Sequence, residues 1–402
     1  MTRAKRLHCL LGTALSTALC LSLADRAHAQ CPTIPASVND AAAPAGAPPP
    51  LARPSPNVGR VAVAPASGGP GYCLYQPPAV TSFSNTLIVY IHGAQFGLNN
   101  AAPENGALDP MLQTLAGLGF HVLYPDVAAI NPFGNPVFPD WPSQTRNAMT
   151  RAISQLNGQG SPISHLVVSG FSLGARAAAR VAATWTGTPR IELLVPHDPA
   201  GQAQLNPAPP FAPPTGSQNF AITLAALAGV PSSTSLLVVQ SNELAVSTDT
   251  SARDIFNNLP QIPRFRQLNG VTVPQKNFLR IRSDSSHGTP TGNRISFHES
   301  IGALPGPFRV QQTLLGPTEV TQLTAIDSFG YLLPLFGSAF EVIFGSTFLG
   351  YSPLCNERGT GTNDRCSSTR QMGMWSDGIP ATTMLNAGDL CLFSEPGCVP
   401  LG

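Results

Sequence analysis

The sequence is poor in charge: Asp, Glu, Lys and Arg make up 11% of its 402 residues, against roughly a quarter in typical soluble domains. The formal net charge is +1. Without a basic field, neither nucleic acid nor an anionic membrane surface is an expected partner. Close C-x-x-C pairs and an H-E-x-x-H string are both lacking, and with them the usual ligand spacing of zinc sites. No metal or organic cofactor is therefore expected. Beyond the N-terminus no apolar run reaches the roughly 20 residues needed to span a bilayer; in the late segment "VTQLTAIDSFGYLLPLFGSAFEVIFG", Asp327 and Glu341 interrupt it. Internal repeats are also missing.

What is present begins with an export-type N-terminus. "MTRAKR" is basic, "LHCLLGTALSTALCLSLA" is apolar, and "AHA" at 27–29 fits a small-x-small cleavage site. Residues 1–29 read as a signal peptide removed after Ala29, which predicts a secreted or periplasmic protein. The apolar run is short for a retained anchor, and Leu19 and Gln30 are too large to precede a lipidated cysteine. The mature chain keeps Cys31, Cys73, Cys355, Cys366, Cys391 and Cys398. An even number in an exported chain points to disulfides, and the clustering favours Cys31–Cys73, Cys355–Cys366 and Cys391–Cys398.

Residues 30–57 form a Pro- and Ala-rich leader without periodicity. From about residue 58 to 350, short apolar runs bounded by turn residues alternate with helical patterns. "NTLIVYIHG", "HVLYPDV", "SHLVVSGFS", "IELLVPHDPAG", "STSLLVVQSNEL" and "NFLRIRSDSSHG" read as strands. "ALDPMLQTLAGLG", "WPSQTRNAMTRAISQLNGQ", "LGARAAARVAATW" and "ARDIFNNL" read as helices. Continuous rather than alternating apolar runs fit strands covered on both faces. The expectation is an α/β fold with a mostly parallel central sheet and functional loops at the strands' carboxyl ends. Irregular stretches at 128–141 and 201–220 interrupt this order. The segment after 320 predicts a helix packed on the sheet with a break at Pro334, and residues 351–402 a loop-rich, disulfide-pinned extension.

"GFSLG" at 170–174 matches the G-x-S-x-G nucleophile-elbow pattern with a strand before and a helix after. The spacing has a steric reason. A strand turning abruptly into a helix crowds the residues two before and two after the serine, and glycine removes the clash. Ser172 then sits at a helix N-terminus, where the dipole favours developing negative charge. A serine hydroxyl needs a base, itself oriented by an acid. His287, after the last apolar strand, is the first candidate base and His298 the alternative; His92 is expected to order its own loop, and His165 opens the elbow strand at the wrong end. Asp198, ending the strand after the elbow helix, is the first candidate acid and Glu243, ending the next strand, the alternative; Asp284 reads as a loop cap. The backbone N–H groups of Leu173 and Ala94 are candidate oxyanion donors.

Taken together, "YIHGAQ", "GFSLG", "HDPAG" and "SDSSHG", in this order, resemble the α/β-hydrolase superfamily, over about residues 60–350. Within it "DPAG" is similar to the acid turn of a branch holding lipases, chlorophyllases and platelet-activating-factor acetylhydrolase-like enzymes. "VVQSNEL" departs from the cutinase pattern. The resemblance implies a secreted carboxylesterase or lipase acting through Ser172, His287 and Asp198 on small-molecule or lipid esters, as a monomer. Phe96, Phe133, Phe138 and Phe211 are candidates for an apolar substrate site. An amidase or peptidase with the same triad, or a catalytically silent protein binding apolar ligands or serving the cell envelope, are the alternatives.

Overall fold

The computed structural model describes residues 57–66, 70–93, 111–127, 141–199, 222–240, 248–268, 270–281, 309–313, 316–320, 329–346, 353–354, 371–374 and 380–385. Its central feature is a ten-stranded sheet, in the order β1-β2-β4-β3-β5-β6-β7-β10-β14-β13. The strands are β1 (Gly59–Val63), β2 (Tyr72–Gln76), β3 (Thr86–Ile91), β4 (His121–Pro125), β5 (His165–Phe171), β6 (Ile191–His197), β7 (Ser235–Gln240), β10 (Lys276–Ile281), β13 (Gln371–Met374) and β14 (Pro380–Leu385). β4, β3, β5, β6, β7 and β10 run parallel. β1, β2, β14 and β13 are antiparallel additions at the two edges.

The apolar runs account for this arrangement. All six residues of β3 and of β7 are buried, so neither face of these strands meets water, as a parallel sheet covered on both sides requires. One face packs on α2 (Trp141–Gly158), α3 (Leu173–Thr184) and α5 (Thr248–Asn257). The other packs on α1, described at 111–117, and α6 (Phe329–Phe344). In α2 the buried Trp141, Thr145, Ala148, Met149, Ala152, Ile153 and Leu156 recur at helical spacing and form one stripe. α3 is buried nearly all round, and its alanines let it lie close to β5 and β6. α4 (Leu224–Leu227) is a single turn, capped where Thr223 Oγ1 accepts the Ala226 N–H at 3.1 Å.

Two expectations are corrected, that of a loop-rich C-terminal extension and that of a break at Pro334. The C-terminal extension is not simply loop-rich: β14 pairs with β10, and β13 with β14, so this part of the chain widens the main sheet. Cys73 is disulfide-bonded, while Cys31, Cys355, Cys366, Cys391 and Cys398 lie outside the described residues, as do the pairings expected of them. α6 passes through Pro334 without a break. The roughly 3 kcal/mol that an interior proline costs a helix is offset by burying Leu335, Phe336 and Ala339 on the sheet, at about 1.5–3 kcal/mol for each of the larger two. Two hairpins were not anticipated: β8 (Phe265–Leu268) with β9 (Val271–Pro274), and β11 (Arg309–Thr313) with β12 (Gly316–Val320). Among the described residues no helix is long and apolar enough to cross a membrane.

Candidate active site

Ser172 is the single residue between β5 and α3. Its φ of 56° and ψ of −119° are a conformation that residues with a Cβ adopt at a cost on the order of 1–3 kcal/mol. The surroundings hold it there. The Ser172 N–H donates to the His197 carbonyl at 3.1 Å, and the Ser172 carbonyl accepts from Ala175 N at 3.1 Å and Arg176 N at 3.4 Å. The serine hydroxyl does not cap the helix it precedes.

The two glycines make this turn sterically possible. A Cβ on Gly170 would lie 2.4 Å from the Gly174 carbonyl oxygen, and one on Gly174 would lie 2.1 Å from the Ile91 carbonyl oxygen and 2.3 Å from that of His92. The crowding therefore includes the end of β3 as well as the two sides of the turn. β3 also leaves the sheet directly against the serine: a Cβ on Gly93 would meet the Phe171 ring at 2.9 Å and the Ser172 Cβ at 3.2 Å. Leu173, the first residue of α3, is buried, and by position its N–H has no acceptor within the helix.

The Asp198 turn lies one strand away. Asp198 follows β6, is fully buried, and has a φ of 43°. Its N–H donates to the Val239 carbonyl of β7 at 2.7 Å. Ser172 and Asp198 are the only non-glycine residues with positive φ among the described residues, and the His197 carbonyl that accepts the Ser172 N–H belongs to the residue just before Asp198. The structure thus brings Ser172, Leu173 and Asp198 to one place at the carboxyl edge of the sheet. His287, His298, Glu243, Ala94, Phe96, Phe133, Phe138 and Phe211 lie outside the described residues.

His92 is buried, its ring 5.1 Å from that of Trp141 and 5.5 Å from that of Tyr124. Burial pushes its pKa down to about 4, opposed by the bond to the Gly93 carbonyl. The ring is therefore neutral near pH 7, and Nδ1, 2.7 Å from that carbonyl oxygen, carries the proton it donates. At the end of β4, burial pushes the Asp126 carboxyl up to about 6. Behind the elbow, the buried Arg176 donates through Nη1 to Ser251 Oγ at 2.9 Å and ties α3 to α5; burial brings its pKa down to about 10, against the opposing charge of Asp254.

Sequence reading missed Tyr90 and His197. The Tyr90 hydroxyl lies 3.3 Å from His197 Nδ1, and both side chains are fully buried. Burial pushes the His197 pKa down to about 3. A signal was available: strand alternation places residue 197 on the same buried face as Leu193 and Val195. Among the described residues no group of three or more His, Cys, Asp or Glu could hold a metal ion.

No family model matches the chain, and no curated protein does. Among solved structures it is similar to carboxyl esterase 2 of the mycorrhizal fungus Tuber melanosporum, with 16% identity, 57% of this chain and 76% of that one covered, and a TM-score of 0.39. It is similar to an esterase of Pyrobaculum calidifontis, with 15% identity, 58% and 78% covered, and a TM-score of 0.40. The thermostable carboxylesterase EstE1, from a metagenomic library, is similar at 15% identity, with 57% and 79% covered and a TM-score of 0.40. Scores of this size assign neither a family nor an activity.

Proposed function

We propose that this chain is an exported serine ester hydrolase of the α/β-hydrolase superfamily. The observation that carries the reading is the left-handed Ser172 turn, made possible by Gly170 and Gly174 and joined through one hydrogen bond to the buried Asp198 turn. A reactive hydroxyl gains from such a turn because it is lifted clear of the strand and set at a helix N-terminus.

In this mechanism Ser172 Oγ attacks the ester carbonyl while His287 takes its proton. The tetrahedral oxyanion is held by the N–H groups of Leu173 and Ala94. The C–O bond to the alcohol then breaks, and the His287 imidazolium protonates the departing oxygen. Asp198 orients the imidazole and stabilises its charged form. Water, activated by His287, attacks the acyl-enzyme and returns Ser172 to its starting state. Phe96, Phe133, Phe138 and Phe211 are the candidates for an apolar acyl or alcohol site, and apolar esters are the proposed substrate class. Export is supported by the basic, apolar and small-residue order of residues 1–29.

The test is fluorophosphonate labelling of the purified mature protein together with turnover of p-nitrophenyl esters of graded acyl length. Labelling that disappears in Ser172→Ala, and turnover that falls at least about 10³-fold in Asp198→Asn but not in Glu243→Gln, is the expected result. An unlabelled wild-type protein without turnover refutes the enzyme, and the reverse order of the two acid variants moves the acid to Glu243.

A further inference from the structure

We propose that Tyr90 and His197 are a positioning pair: a strut crossing β5 behind the nucleophile turn, which sets the acid turn in register with Ser172. The inference rests on the serine-hydrolase reading above and assigns that site two further residues.

The strut depends on the sheet register. Tyr90 of β3 is aligned with Ser169 of β5, which is flanked on its other side by Val195 of β6. Paired residues in a sheet point to the same face. Tyr90, Ser169 and Val195 thus form one row, and Phe171 and His197 belong to the next row toward the carboxyl edge. Ser169 is the small member of its row, and its hydroxyl turns aside to donate to the Val195 carbonyl at 2.7 Å. This leaves a trough over β5. The Tyr90 ring lies along it, with its centroid 5.9 Å from that of His197 and its hydroxyl 3.3 Å from Nδ1. A strand on each side of the nucleophile strand is thereby linked over the top of it.

What the strut holds is the backbone of His197 and, one residue on, Asp198. That backbone has two further ties: the His197 carbonyl accepts the Ser172 N–H at 3.1 Å, and the Asp198 N–H reaches Val239 O at 2.7 Å. Asp198 is in a left-handed conformation, which persists only where its surroundings over-determine it. Main-chain bonds fix the turn from β5 and β7, and Tyr90 fixes it from β3. A buried imidazole beside a buried phenol is costly unless its hydrogen bond is kept. The fully buried and neutral His197 ring has no access to substrate, so its effect on the reaction passes through the position of Asp198. A displacement of about 1 Å at a reacting group can lower a rate a hundredfold.

The experiment is steady-state kinetics on p-nitrophenyl butyrate for wild type, Tyr90→Phe, His197→Leu, His197→Asn and the Tyr90→Phe/His197→Leu double variant, with thermal denaturation of each. Tyr90→Phe and His197→Leu are expected to lower kcat roughly 5- to 30-fold with KM within about twofold. The double variant is expected to be no worse than the worse single one, because the two act as a unit. His197→Asn, which returns a polar atom near the Nδ1 position, is expected to recover most of the loss. A displaced acid stabilises the catalytic imidazolium less, so the acid limb of kcat/KM is expected to move to lower pH in the impaired variants. Should His197→Leu fail to fold, Tyr90→Phe and His197→Asn still decide. Wild-type kcat with an unmoved acid limb in Tyr90→Phe overturns the strut, as does a kcat loss in which the acid limb stays in place. A wild-type protein that neither labels nor turns over overturns the hydrolase reading and the strut with it.

Discussion

The two ends of the parallel strands differ in the conformation of their backbone. At the amino edge, side chains serve backbone carbonyls: Thr234 Oγ1 donates to Ile191 O at 2.9 Å, Gln275 Nε2 to Ser232 O at 2.6 Å and Thr234 O at 3.0 Å, and Lys276 Nζ to Leu259 O at 2.9 Å. The Lys276 ammonium also lies 4.4 Å from the Phe256 ring centroid. None of these residues is held at positive φ. At the carboxyl edge the backbone itself bends into left-handed conformations at Ser172 and Asp198, and glycine replaces side chains where the turns crowd. One edge fastens the fold, while the other holds backbone strain at Ser172 and Asp198. That division is expected of an open α/β sheet, whose ligands bind outside the carboxyl ends of its strands.

The sharpest way to break this contrast is at Gly174. Gly174→Ala puts a Cβ 2.1 Å from the Ile91 carbonyl, and the elbow then has to open. We expect a loss of more than about 3 kcal/mol, read as loss of soluble protein or a collapse of the denaturation midpoint. Ser172→Gly separates the two properties of the elbow. It removes the hydroxyl, so ester turnover should fall at least about 10³-fold, yet it relieves the φ of 56° and should stabilise the fold by about 1 kcal/mol. Urea unfolding beside the activity assay checks both; a less stable Ser172→Gly would mean the turn is not strained.

A smaller effect is expected at the amino edge. Burial pushes Lys276 from its usual 10.5 down to about 8, with Arg264 adding to the shift. Between these values the unfolded chain holds the proton more tightly, so stability should rise with pH as the folded lysine loses its charge first. The contribution is present above the unfolded pKa and lost as pH falls through the folded one. Relative to Lys276→Met, the wild type should gain about 1–3 kcal/mol between pH 7.5 and about 10, measured by urea unfolding. A parallel pH dependence in the two proteins would show that the ammonium is not buried as described.

How far the sequence could be read follows from which forces were local. β3, β5, β6 and β7 announce themselves as continuous apolar runs because both faces are buried. The Ser172 turn was legible because its steric problem lies within five residues, from Gly170 to Gly174. The contribution of the Ile91 and His92 carbonyls was not, since it comes from a strand some 80 residues earlier and requires the sheet order. Asp198 could be placed at a strand end from its own neighbourhood. His197 was passed over because its partner, Tyr90, is reached only across β5. β13 and β14 were illegible for a similar reason. "QMGM" and "PATTML" carry little strand propensity, and their place is decided by pairing next to β10.

That pairing has a consequence in time. β10 is an interior strand in the folded molecule, held by β7 on one side and β14 on the other, yet in chain order β14 arrives about 100 residues later. During synthesis the β10 edge stays open until Leu385 has emerged. Closing a contact of such long sequence separation is slow, so the nascent chain passes through a long interval with an unpaired strand edge.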